Sequence, residues 1–229
     1  MKHAFLFLLV MATTLANAVA DDGARLKATY LEILKPYGAD EALLDRCWEE
    51  VVEAYTGPRR HYHNLEHLAN FERHLHSCKD SLEDFETAFL AMIYHDVVYF
   101  TTDGTNEDQS AAFADRHLAL LGYPADKVAR CHALIMATKT HAGSTDSDTN
   151  YFVDADMAIL GADPAAYQRY VANIRQEYGA SPQFDRGRQR VLQHFLDMDR
   201  LFKTDLFFDR FEKQARENIA AEIRSLQAN

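Results

Sequence analysis

Ala88-Phe-Leu-Ala-Met-Ile-Tyr-His95-Asp96-Val-Val-Tyr-Phe100 is a run of residues apolar on almost every side, broken by one adjacent histidine and aspartate. A helix that is hydrophobic all round belongs at the centre of a core. An unpaired carboxylate there costs several kcal/mol, so Asp96 requires a cation. On a helix, His95 points about 100° away and offers a neutral ring nitrogen. A metal ion satisfies both residues. An Arg or Lys paired with Asp96, with His95 packed as a core side chain, satisfies the dipeptide equally well.

Two other segments add the same chemistry. Arg60-His-Tyr-His63-Asn-Leu-Glu-His67 places two histidines at i and i+4, one above the other on a helical face. Tyr151-Phe-Val-Asp154-Ala-Asp156-Met-Ala-Ile-Leu-Gly161 sets carboxylates into a second apolar run. Each alone has an ordinary explanation, a surface histidine pair or a helix cap. Together they give three helices that offer His, then His-Asp, then Asp from apolar faces. Such nitrogen and carboxylate donors suit a divalent Mn, Fe, Zn, Co or Mg ion without choosing among them.

Helical spacing continues outward in both directions. Leu43, Leu44, Cys47, Trp48, Val51 and Tyr55 form one stripe of a helix started by Asp40 and ended at Thr56-Gly57-Pro58. His63 or Asn64 opens the next. Ser81 with Asp84 resembles a capping box, Asn106 caps a helix stopped by Gly122, and Pro124 suits a first helical position. A polar loop over 142–150 precedes a helix from Tyr151 to Leu160 closed by Gly161. Asp163-Pro164 starts another helix, ended by Gly179, and two more follow. No strand alternation or repeat interrupts the pattern, so the expected class is all-α, a single multi-helix bundle.

The chain has 229 residues, 48% hydrophobic and 26% charged, which suits one globular domain. Its net charge of −11, with no Lys/Arg cluster, argues against extended nucleic acid as a partner. A small phosphorylated substrate remains open, because a metal inverts the local field. Residues 1–20 read as a signal peptide: Lys2 and His3, an apolar run from Ala4 to Leu15, then Ala16, Ala18 and Ala20. Cleavage after Ala20 leaves a domain of 21–229, exported to the periplasm or secreted; without a leader the chain is cytoplasmic. The run is shorter than the ~20 residues of a membrane span. Cys47, Cys78 and Cys131 form no CxxC pair and are odd in number, so they are expected as buried apolar side chains.

These residues resemble the HD superfamily, and most closely its metal-dependent phosphohydrolases, from about residue 25 to 225. The motifs are Arg60-x-Tyr62-His63-Asn64-x-x-His67-Leu68, His95-Asp96-Val97-Val98-Tyr99, Asn106-Glu107-x-x-Ser110-Ala111, Ala137-Thr138-Lys139-x-His141 and Asp154-Ala155-Asp156-x-Ala158-Ile159-Leu160-Gly161. The Tyr-His-Asn-x-x-His element is also similar to that of cyclic-nucleotide phosphodiesterases. The resemblance implies an HD-domain bundle that hydrolyses a phosphate ester, mono- or diester, nucleotide-like esters included, with His67, His95, Asp96 and Asp156 as metal ligands. Asp154 is left as a supporting or capping residue. His63 corresponds to the histidine that protonates the leaving oxygen, and Glu107 is the nearest acid in register for a catalytic carboxylate. Arg60, Lys139 and His141 are the candidate phosphate contacts, with Arg175 behind them. The sequence departs from the pattern in having no Glu or Lys closely after the doublet, and in carrying a leader where the branch is cytosolic. Two alternatives stand beside this: a non-catalytic ligand-binding HD domain, and an HD-type di-iron oxygenase in which His141 serves a second metal.

Overall fold

Side-chain caps set most of the helix starts. In the computed structural model, which describes residues 21–99 and 104–228, helix α1 covers 21–34. It is followed by α2 (Glu41–Tyr55), α3 (Leu65–Ser77), α4 (Phe85–Tyr94), α5 (Asn106–Leu120), α6 (Ala125–Ala137), α7 (Ser147–Met157), α8 (Pro164–Tyr178), α9 (Pro182–Asp197) and α10 (Asp205–Gln227). There is no strand among the described residues. Asp40, Asn64, Asp84, Asp146, Asp163, Ser181 and Thr204 each accept a backbone N–H of the first turn they precede.

Helix α4 is the axis of the bundle. All its residues from Ala88 to Tyr94 are fully buried, and α3, α5, α6 and α7 pack around it. Buried side chains from all ten helices join one hydrophobic cluster. Cys47, Cys78 and Cys131 are free and buried in it. Among the described residues no helix is long and apolar enough to cross a membrane. The leader reading concerns residues 1–20, which lie outside the described residues.

Several boundaries differ from the sequence expectation. Helix α7 begins at Ser147, not Tyr151, because Asp146 accepts from Thr149 N–H and turns the polar run into a first helical turn. Ser81 does not cap α4; Lys79–Ser81 form a short 3-10 turn and Asp84 is itself the cap. Thr105 occupies the cap position of α5, with Asn106 inside the helix, and Pro124 precedes α6 as its cap residue. Two changes bear on chemistry. His63 lies just before the Asn64 cap, outside α3, and His95 caps the C-terminus of α4 with Asp96 beyond it.

Two buried acids fix the far elements. Asp148 accepts from the backbone N–H groups of Glu83 and Asp84 and from Arg130, joining α7 to the start of α4. Asp154 accepts from the N–H groups of Lys203 and Thr204 and from the Thr204 hydroxyl, so it holds the start of α10.

Candidate metal centre

Two chain segments bring donor atoms of His67, His95 and Asp96 into one group, and a third places Asp156 beside the two histidines. Asn64 caps α3 and presents His67 from its first turn. The end of α4 supplies His95 and Asp96; because the chain leaves the helix there, the two side chains converge and His95 Nε2 lies 3.0 Å from Asp96 Oδ2. Helix α7 supplies Asp156.

His67 Nε2 stands 3.1 Å from His95 Nε2, 3.9 Å from Asp96 Oδ2 and 3.5 Å from Asp156 Oδ1. His95 Nε2 is 3.8 Å from Asp156 Oδ1. Around an ion with bonds of about 2.1 Å, neighbouring donors sit roughly 3.0–3.4 Å apart. The His67–His95 and His95–Asp96 spacings fall in this range, while the spacings from His67 to Asp96 and from both histidines to Asp156 are longer and would have to close around an ion. The buried His67, His95 and Asp96 group can hold a metal. The His95 ring is oriented as a ligand, because Nδ1 donates to the Met92 carbonyl at 2.8 Å and turns Nε2 toward the centre.

The electrostatics also call for a cation. Burial, followed by the neighbouring His95, holds His67 down to about 4. Burial disfavours a charged His95 too, but Asp96 and Asp156 outweigh it and raise His95 to about 9. Burial pushes both carboxyls up, yet Asp96 stays below the usual carboxylate range because of His95 and His63, and Asp156 because of His141 and His95. Both acids are thus charged at neutral pH, balanced by positive charge at His95, where a divalent ion would serve with more charge and fixed geometry.

A second histidine site adjoins the cluster. His63 Nε2 is 3.8 Å from Asp96 Oδ2, while Nδ1 is 2.7 Å from the buried carboxylate of Glu177, at the C-terminal end of α8. Glu177 also accepts from the backbone N–H groups of Tyr62 and His63. Burial opposes its charge, but the hydrogen bond from His63 and the two backbone donors hold it below the usual carboxylate range. The Tyr99 ring stacks on His63 at 4.2 Å between centroids, and its hydroxyl meets Tyr178 at 2.7 Å. His63 is therefore pinned with one ring nitrogen turned toward the donors.

Of the expected phosphate contacts, only His141 comes to the centre, with Nε2 2.9 Å from Asp156 Oδ2. Arg60 is close but employed otherwise: its guanidinium donates to the carbonyls of His63, Asp96 and Val97 and lies over the rings of Tyr55 and Tyr99. It ties the segment before α3 to the segment after α4 and so positions two site residues. Lys139 is exposed and paired with Asp108 at 2.6 Å. Glu107, on the first turn of α5, is joined to the centre by no hydrogen bond or ion pair among the described residues. Arg175 pairs with Asp185. Asp154 is occupied by the start of α10, leaving Asp156 as the acid of α7 at the centre.

Glu177 was not singled out from sequence. The available signal was its register: Tyr170, Ile174 and Glu177 fall at i, i+4 and i+7, so an acid sits on the buried stripe of α8. Compared with family models, with curated proteins and with solved structures, the chain matches none.

Proposed function

We propose that this chain is a metal-dependent phosphohydrolase of the HD type, with a divalent ion held by His67, His95, Asp96 and Asp156. The observation that carries the reading is His63: a histidine outside the ligand set, fixed by Glu177, with Nε2 3.8 Å from a ligand carboxylate. When bound, the ion supplies a Lewis acid for a phosphoryl oxygen and lowers the pKa of water toward 7. His63 holds a proton on Nε2 for the departing alkoxide, and the Glu177 carboxylate stabilises the ring while it carries that proton. Arg60 and Asn64 keep His63 and His67 in register. Elemental analysis of the purified chain, followed by a phosphatase screen over nucleotides, cyclic nucleotides and sugar phosphates, tests the reading. A chain without metal, or a loaded chain inert on all of these, overturns it.

One observation favours a second reading. His141 Nε2 lies on Oδ2 of Asp156, while Oδ1 of the same carboxylate faces His67. A bridging Asp156 would suit a dinuclear centre, as in a di-iron oxygenase, and two ions per chain would support it. Export remains the proposed location, tested by N-terminal sequencing of the native protein for a start at Asp21.

A further inference from the structure

A cavity of about 580 Å³ opens beside the metal centre, with His67 and Asp156 in its wall. That volume falls in the roughly 300–1,000 Å³ of small-molecule sites. Helices α3 and α8 form its sides. Phe71, Ala155, Ala158, Ile159 and Phe211 give it an apolar surface. Such a surface fits the body of an organic molecule and would be surplus around inorganic phosphate alone.

The charge in the cavity is unevenly placed. Glu66 is exposed in the first turn of α3, next to the metal ligand His67. Farther along, Arg73 from α3 and Arg169 from α8 line the cavity from its two sides. Neither has a salt-bridge partner among the described residues, and Arg73 donates only to the neutral amide oxygen of Asn70. Both are exposed at the cavity rim, so their donors are open to a ligand from solvent. His74, in the same wall, is held down to about 4 by burial and by Arg210 and Arg73, so it adds no charge at neutral pH. The arginines alone make this end positive. Arg73 follows His67 by six residues, which is about 9 Å along the helix axis.

We propose that the substrate carries a second anionic group, carboxylate or phosphate, at the end of an apolar body, and that Arg73 and Arg169 receive it at the rim of the cavity away from the metal. Only the placement of the first phosphate rests on the phosphohydrolase reading. Guanidinium forks pair with either anion through two parallel hydrogen bonds, so chemistry at this end selects charge and spacing before it selects the anion.

Calorimetric binding to the full chain supplied with Mn²⁺ tests this with three probes sharing one six-carbon body: hexyl phosphate, 6-(phosphonooxy)hexanoate and 1,6-hexanediol bisphosphate. At least one two-anion probe should bind about ten-fold or more tightly than hexyl phosphate, and the larger gain identifies carboxylate or phosphate. Arg73→Gln and Arg169→Gln should each reduce that gain while leaving hexyl phosphate unchanged. Equal binding of all three probes, binding of none, or a gain that survives the double variant overturns the proposal. Phosphate release from the same probes is read separately: preferential two-anion binding without hydrolysis overturns the phosphohydrolase reading and leaves the anion site standing.

Discussion

Glu177 holds His63 by side chain and backbone at once, across 114 residues of sequence: Oε2 lies 2.7 Å from Nδ1, and Oε1 accepts the His63 N–H at 2.9 Å. The carboxylate side chain is fully buried. A buried charge survives only when paired, and these donors together with Tyr62 N–H provide the pairing. The end of α8 thereby fixes the turn that leads into α3.

Glu177→Gln keeps the shape and an acceptor for the backbone donors but loses the charge behind His63. We expect kcat to fall about 10–100-fold with KM little changed and metal content equal to wild type. An unchanged kcat would remove Glu177 from the mechanism. Loss of the metal would show that it supports the ligand cluster itself.

Metal binding should separate the two acids of α7. Asp156→Asn should lose the ion, whereas Asp154→Asn should keep it and lose about 1–3 kcal/mol of stability, since a neutral amide oxygen cannot satisfy the three donors at Lys203 and Thr204. Wild type should also be stabilised by about 2.7 kcal/mol at a metal concentration 100 times Kd, an increment that a chelator removes and His95→Ala never shows. Elemental analysis and thermal melts read both effects. Metal retained by Asp156→Asn and lost from Asp154→Asn would reverse the assignment.

The all-α class was legible because apolar spacing and caps agree along the chain; Asp40 and Asp163 sit where local rules place them. His95, Asp96 and the acids of α7 stood out because polar groups inside apolar runs need a reason, whereas the choice of His67 over His63 and of Asp156 over Asp154 came from the family resemblance; the structure groups His67, His95 and Asp96. Partnerships across distance were not. Arg60 looks like a phosphate ligand until the carbonyls of Asp96 and Val97 take up its donors, and Lys139 until Asp108 does. Both are decided by tertiary contacts that local sequence does not encode. The placement of His63 outside α3 turned on which of two adjacent residues caps the helix, and Asn64 wins because its Oδ1 reaches two N–H groups.

His63 and His67 are expected to fail differently. His67→Ala should empty the centre. His63→Ala should retain the ion and slow turnover of alkyl phosphates by about 10²–10⁴-fold, while nitrophenyl phosphate, whose leaving group needs little protonation, slows far less. Parallel losses on both substrates, or loss of metal from His63→Ala, would make His63 a ligand.

Acid should weaken the fold partly through His74. Its ordinary value of 6.5 falls to about 4 in the folded chain, chiefly by burial and then by Arg210 and Arg73. The unfolded chain therefore takes up a proton between those two values that the folded chain refuses. This contribution is intact above pH 6.5 and is lost as pH falls toward 4. Between about pH 7 and 5, wild type should lose about 1–2 kcal/mol more than His74→Gln in denaturant melts. Identical pH dependence of the two would show that His74 is protonated without cost.

Gly161 carries the last prediction, because it closes the α7 segment for a reason other than backbone freedom. The sequence reads it as a helix-ending glycine, yet its φ is not positive, and alanine could adopt the same conformation. What forbids a side chain is space. A Cβ would stand 2.5 Å from Phe211 Cβ, 2.7 Å from Phe211 O and 2.9 Å from its Cα, two of which are backbone atoms of α10. Helix α10 cannot retreat freely, since Asn218 Nδ2 donates to the carbonyls of Leu160 and Ala162 at 2.9 and 2.8 Å and Asp154 holds its start. Gly161→Ala should therefore cost about 1–3 kcal/mol through overpacking, a fall in Tm of roughly 2–12 °C for a chain of this size. Asp156 lies upstream on α7, which Asp148 ties independently to α4, so the metal should remain bound in the folded variant. A Tm equal to wild type would mean that α10 does not rest on the turn at Ala158–Gly161, and the Phe211 side of the cavity would then need to be redrawn.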